Sequence, residues 1–107
     1  MTAQDRARVL AALAIRPGKI NGITGADLAQ ILELRKREIR HAISELRMEG
    51  IAVCGHPKTG YFIAANPEEL EETCAFLRDR ALHSLTLESK LRHVPLPELL
   101  GQLRLKT

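Results

Sequence analysis

Along the first half of the chain the apolar residues recur with the period of a helix, three times over. Val9, Leu10, Leu13 and Ala14 form the first such set. Thr2 and Asp5 stand at cap and third-residue spacing before it, and Arg16-Pro17-Gly18 ends it. Lys19 to Ile23 holds Asn21-Gly22 and predicts a turn with a brief extended segment carrying Ile20 and Ile23. Thr24-Gly25-Ala26-Asp27 repeats the capping pattern, and Leu28, Ile31 and Leu32 mark one face of a short second helix. The third set is the most regular. Ile39, Ala42, Ile43 and Leu46 are spaced i, i+3, i+4, i+7, which predicts an amphipathic helix from about Arg35 to Glu49, closed by Gly50.

There the period changes from helical to alternating. Ile51-Ala52-Val53-Cys54 and Tyr61-Phe62-Ile63-Ala64 are short β-prone runs, and Gly55 to Gly60 between them is rich in turn formers, so a β-hairpin is expected. Asn66 and Pro67 then open a long helix as cap and first residue, with Glu69 placed to complete a capping box. Glu68, Glu69, Glu71 and Glu72 complement its dipole. The helix is expected to run to about His93, where Val94-Pro95-Leu96-Pro97 must break it. Leu96, Leu99, Leu100 and Leu103 predict a short terminal helix. The pattern therefore describes an α+β, mostly helical chain. Residues 1–65 form one domain and residues 66–107 a helical extension.

Composition changes this picture in two ways. The hydrophobic share of 45% suffices for a core in 107 residues, and the charged share of 27% is that of an ordinary folded domain. No apolar run approaches membrane length, and the start of the chain lacks the basic-plus-apolar character of a secretory signal, so a cytoplasmic protein without membrane contact is expected. Charge is uneven. Residues 1–65 hold ten Lys or Arg against six Asp or Glu, whereas residues 66–107 hold six against seven. A basic first part beside a near-neutral tail suggests a polyanionic partner for the first part alone.

Candidate chemistry is sparse. Cys54 and Cys74 fall in different elements, and neither they nor His41, His56, His83 and His93 have the clustered spacing of a zinc site. Both cysteines read as small buried hydrophobes. No phosphate-cradling loop, dinucleotide turn, nucleophile elbow or H-E-x-x-H is present. No enzyme, metal or cofactor is expected. The third helix is more informative. Its stripe leaves Arg35, Lys36, Arg37, Arg40, His41, Ser44 and Arg47 outside, a basic face on an element that fits the major groove of duplex DNA. Lys58 in the hairpin loop is placed for a neighbouring backbone contact. With only Tyr61, Phe62 and Phe76 aromatic, stacking on single strands is poorly served, and Tyr61 is expected in the core.

The stretch from Gly25 to Ile63 resembles the DNA-binding domain of biotin-repressor-type winged helix-turn-helix regulators. Gly25, Leu28 and Leu32 match its second helix. Ile39, Ile43, Leu46-Arg47 and Gly50 match its third, and Val53 and Gly60-Tyr61 its hairpin. The resemblance implies that the third helix is the recognition helix and the hairpin the wing. It departs at the turn between the second and third helices, where the family has Leu-Gly and then a Ser or Thr cap; this chain has Leu32-Glu33 and then Arg35. No ligase domain follows, so biotin chemistry is not implied. In size and plan the chain also looks like small regulators of phages and mobile elements.

The long helix carries two apolar stripes, one of Leu70, Cys74, Leu77, Ala81 and Leu85 and another of Phe76, Leu87, Leu91 and Val94. So small a body has difficulty hiding both. Leu77, Ala81, Leu85, Leu87, Leu91, Leu99, Leu100 and Leu103 are therefore expected to meet a partner, most simply a second copy, and a homodimer suits a palindromic duplex site. The alternative is that the domain serves as a protein-interaction module, an adaptor or inhibitor of a larger complex.

Overall fold

The computed structural model describes residues 2–103. The chain is α+β and mostly helical, and among the described residues it has five α-helices and one two-stranded antiparallel hairpin. The helices are α1 (Ala3–Ala14), α2 (Gly25–Leu32), α3 (Lys36–Met48), α4 (Pro67–Arg92) and α5 (Leu96–Leu103); the strands are β1 (Val53–His56) and β2 (Gly60–Ile63). A 3-10 turn, Lys19–Asn21, lies between α1 and α2. No helix among the described residues is long and apolar enough to cross a membrane. The chain divides into two compact units, Met1–Thr73 and Cys74–Thr107, so the first extends past the expected boundary at Ala65 and takes in the first turns of α4.

In the first unit α1, α2 and α3 enclose one core of Val9, Leu13, Leu28, Ala29, Ile39, Ala42, Ile43 and Leu46, joined by Ile23 and Val53. The periodic set of α3 is buried to the last residue, as its spacing predicts. That of α2 is not. Ala29 takes the inward place, and Ile31 stands 63% exposed. The hairpin lies against this core through Val53, Tyr61 and Ile63, while its alternate residues, the cross-strand pair Cys54 and Phe62, are buried on the opposite face. There the Cys54 thiol lies 3.6 Å from the Glu69 carbonyl oxygen, and Gly55 N–H donates to Thr73 Oγ1 at 3.4 Å. The acidic start of α4 is thus part of the domain.

β2 is the hub of the sheet. Beyond β1, its free edge is met twice by the α1–α2 connection. Ile23 and Tyr61 exchange both backbone hydrogen bonds, at 2.9 and 2.7 Å, and Ile63 pairs with the Arg16–Gly18 stretch at 3.0 and 2.8 Å. These contacts set the register and move the strands from the expected places. The expected extended segment at Ile20–Ile23 is reduced to Ile23, with Ile20 on the 3-10 turn and 94% exposed. Ile51 and Ala52 are not strand. The end of α3 consumes Ile51, whose N–H donates to Leu46 O while Gly50, at φ +86, donates to Arg47 O.

The same helix ending recurs twice without glycine. Leu34 N–H reaches Ala29 O and Glu33 N–H reaches Gln30 O, with Glu33 left-handed at φ 56. Val94 reaches Ser89 O and His93 reaches Lys90 O, with His93 at φ 56. At the first of these Arg8 compensates, its Nη2 donating to Leu32 O at 2.8 Å. A left-handed residue with a Cβ costs roughly 1–2 kcal/mol, partly offset by the greater unfolded-state freedom of glycine. Glu33→Gly is therefore expected to stabilise the domain by about 0.5–1 kcal/mol, read as a higher urea midpoint. An unchanged or lower midpoint would count against this turn geometry.

Caps follow the sequence at Thr2, Thr24 and Asn66, whose side-chain oxygens accept from the backbone N–H groups of Asp5, Asp27 and Glu69. The Glu69 carboxylate, however, does not return to Asn66. It accepts from Lys19 N–H and Ala65 N–H, both at 2.9 Å, stapling the 3-10 turn to α4. These backbone donors, that of Lys19 first, hold its pKa below the ordinary 4.5. The staple's contribution is thus complete above the unfolded value and is lost as pH falls through the lower native one. Glu69→Gln should flatten the decline of stability in that acid window; unfolding midpoints across the window that stay parallel to those of the parent would refute the staple.

The second unit has little core of its own. Leu99 is 1% exposed, and Ser89 Oγ donates to Val94 O at 2.6 Å across the α4–α5 corner. Leu99 is therefore unavailable to a partner, contrary to expectation, and Leu85 and Leu100 are half-buried. Leu77, Ala81, Leu87, Leu91 and Leu103 are exposed as expected, together with Phe76 and Leu82. Cys74 is exposed rather than buried.

Candidate nucleic-acid interface

At roughly 100° per residue, the four buried positions of α3 fix where every other side chain points. Opposite them, Arg37, Arg40, His41, Ser44 and Met48 occupy an arc of about 100°. All five are exposed. Glu38, Glu45 and Glu49 fall on one narrow flank of the helix rather than among the arginines.

Two of these acids meet a cation of a neighbouring helix. Arg6 of α1 places Nη1 2.6 Å from Glu49 Oε1 and 3.6 Å from Glu45 Oε2. Glu38 accepts from Arg35 N–H at 3.1 Å and from Arg35 Nε at 3.3 Å, and the first of these dominates in holding its pKa below the ordinary value. This carboxylate satisfies the Arg35 N–H, the half of a capping box that a third-residue glutamate supplies, and not the half that a serine or threonine at Arg35 would supply. His41 Nε2 lies 2.9 Å from Glu45 Oε1.

The expected site residues thus separate into four groups. Lys36, Arg37 and Arg40 are exposed and have no acidic partner among the described residues, with Ser44 beside the two arginines. Arg35 and His41 are also exposed but carry a neighbouring carboxylate. Arg47 is turned away, its Nε donating to Val53 O at 2.8 Å in a half-buried setting, so it ties α3 to β1 and is withdrawn from the face. Lys58 is elsewhere. It lies in the hairpin loop and lines an open depression of about 740 Å³ bounded by Arg16, the 3-10 turn and α2, to which no described residue of α3 contributes.

Sequence periodicity alone did not single out Arg6 or Met48. Arg6 sets the net charge of the α3 flank, and its signal is only a cation near the start of α1; Met48 is 85% exposed at the end of the basic arc. The basic character is also more local than the first 65 residues suggest. The compact unit through Thr73 holds ten Lys or Arg and ten Asp or Glu. Four of those acids are on the first turns of α4, where Lys19 Nζ meets Glu72 at 2.7 Å.

Among the described residues no group of three or more His, Cys, Asp or Glu side chains is placed to hold a metal ion. Compared with known proteins, the chain matches no family model, no curated protein and no solved structure.

Proposed function

We propose that the chain is a duplex DNA-binding regulator, acting in control of transcription or replication, with α3 as recognition helix and the hairpin as wing of a winged helix-turn-helix domain. One observation carries the reading: the acids of α3 are gathered on one flank, where Arg6 meets Glu45 and Glu49 and Arg35 meets Glu38, leaving Arg37 and Arg40 without an acidic partner among the described residues on the outward face. Unpaired arginines on a helix face can take phosphate oxygens or guanine edges. The exposed Leu77, Ala81, Leu87, Leu91 and Leu103 support a homodimer, which would present two recognition helices to a two-fold site.

A second reading has its own support. The balanced charge of the first compact unit weakens long-range attraction to a polyanion and favours a protein-interaction module. Selection from random duplexes, followed by sequencing and mobility shift over a salt series, separates the two. The DNA reading expects an enriched inverted repeat and an affinity that falls steeply with salt as phosphate contacts release counterions. No enrichment, with no duplex affinity at low salt, would leave the protein-interaction reading.

A further inference from the structure

The helical unit Cys74–Thr107 is short of buried apolar material. Leu99 is its single fully buried apolar side chain among the described residues, while Phe76, Leu87 and Leu91 stand 48%, 52% and 83% exposed on α4. At about 100° per residue these three and Arg80 fall within an arc of about 60°. Scattered exposed leucines are ordinary, but a row of apolar residues along one helix face is a surface for another element. The face is also shaped. Phe76, Asp79, Arg80 and His83 are spaced i, i+3, i+4, i+7 and line, with Ser84, a notch of about 370 Å³. That spacing is the four-residue hole that receives one side chain of a facing helix. Arg80 forms part of its wall, its guanidinium carbon 6.0 Å from the centroid of the Phe76 ring. Asp79 and Lys90 lie about 20° apart on one flank of the arc. Neither has an ion-pair partner among the described residues, whereas Arg92 close by is answered by Glu88 at 2.7 Å.

We propose that α4 pairs antiparallel with α4 of a second copy, the Leu87 of each seated in the notch of the other. The proposal rests on the homodimer part of the function above and gives that dimer its geometry. A two-fold axis between about residues 83 and 84 sets the partner's Leu87 opposite the centre of the notch. The same register sets the partner's Leu91 beside Phe76. It also brings the partner's Lys90 to within about 4 Å of Asp79 along the helix axis, on the flank that an antiparallel pair turns toward itself. The seated leucine and the ion pair each form twice by symmetry. A parallel pair in register fits less well, because Arg80 would stand against the partner's Arg80 and a charge, not a leucine, would face the notch. A second copy is favoured over a different protein because hole, knob and both charges occur on one face of α4, at spacings that a single two-fold axis satisfies together.

Sedimentation equilibrium of the full chain at low salt reads the dimer constant. The parent should dimerise. Leu87→Asn should weaken the dimer about tenfold or more, since each dimer loses two seated leucines, and an exposed position tolerates the change in the single chain. Asp79→Lys and Lys90→Asp should each weaken it severalfold, and the two together should restore it. Asp79 and Lys90 are eleven residues apart on α4, roughly 16 Å, so restoration cannot arise within one copy or from a folding defect. Three results would overturn the proposal: a parent that stays monomeric at high concentration, a Leu87→Asn variant that dimerises as the parent does, or a double swap no tighter than the single changes. The first would leave this face to a different protein. A duplex mobility shift keeps the DNA reading separate. Arg37→Ala with Arg40→Ala should dimerise as the parent does, and a monomeric parent that still binds duplex would end the antiparallel pair while leaving the role of α3 intact.

Discussion

Arg37→Ala with Arg40→Ala will weaken duplex binding by about a hundredfold or more at fixed salt, because each arginine withdrawn from a phosphate or a base edge costs roughly 1–3 kcal/mol. Where the lost contacts are to phosphate, the dependence of log affinity on log salt should become shallower by about 0.9 for each one. The fold should not suffer. Both side chains are exposed and unpaired among the described residues, and alanine is the better helix former. Arg47→Ala is the contrasting variant. It removes the bond to Val53 O and should lower stability by about 1 kcal/mol with little direct effect on the duplex. Mobility shift and urea unfolding of the three proteins measure both axes. A double variant with undiminished duplex affinity would remove α3 as the recognition element, and the DNA reading with it.

What the sequence revealed and what it hid divide along a physical line. The α3 stripe was legible because its four buried residues report on one helix against one core, and a local period of 3.6 carries that information. Caps at Thr2, Thr24 and Asn66 were legible for the same reason, since donor and acceptor are three residues apart. The strands were found but misplaced, because their register is set by Ile23 and Arg16–Gly18, far away in the chain, and because the α3 ending takes Ile51. The period of α2 alone places Ile31 inward, whereas Ala29 takes that place. Among the expected site residues, Arg37, Arg40 and Ser44 were separable from Arg47 only once the hairpin was in place, since nothing local to α3 shows that the Val53 carbonyl waits beside Arg47. The turn at Glu33 departs from the resembling family yet closes as a helix ending of the usual kind, with Arg8 of α1 on the Leu32 carbonyl, a compensation that no pattern within α2 discloses.

Gly60→Ala should cost the domain about 4 kcal/mol or more, a large share of its stability. Gly60 has φ +81, and a Cβ there would stand 2.3 Å from both the carbonyl carbon and oxygen of Ile23 and 2.5 Å from the Thr24 nitrogen. All three are backbone atoms, so no side chain can swing aside. Relief requires parting Ile23 from Tyr61, which breaks the two hydrogen bonds that seat β2 on the α1–α2 connection and lifts Tyr61 from the core edge. The left-handed strain of roughly 1–2 kcal/mol and two buried backbone bonds at about 1–3 kcal/mol each sum to about 4 kcal/mol or more, against a total stability on the order of 5–15 kcal/mol for a small domain. Gly50→Ala isolates the first contribution. Its φ is +86 and nothing lies within 4 Å of the added carbon, so it should cost only about 1 kcal/mol. Urea midpoints of the two variants, followed by circular dichroism, make the comparison. If Gly60→Ala were no worse than Gly50→Ala, the hairpin could not be seated on Ile23 as described, and the hub of the sheet would have to be rebuilt around a different contact.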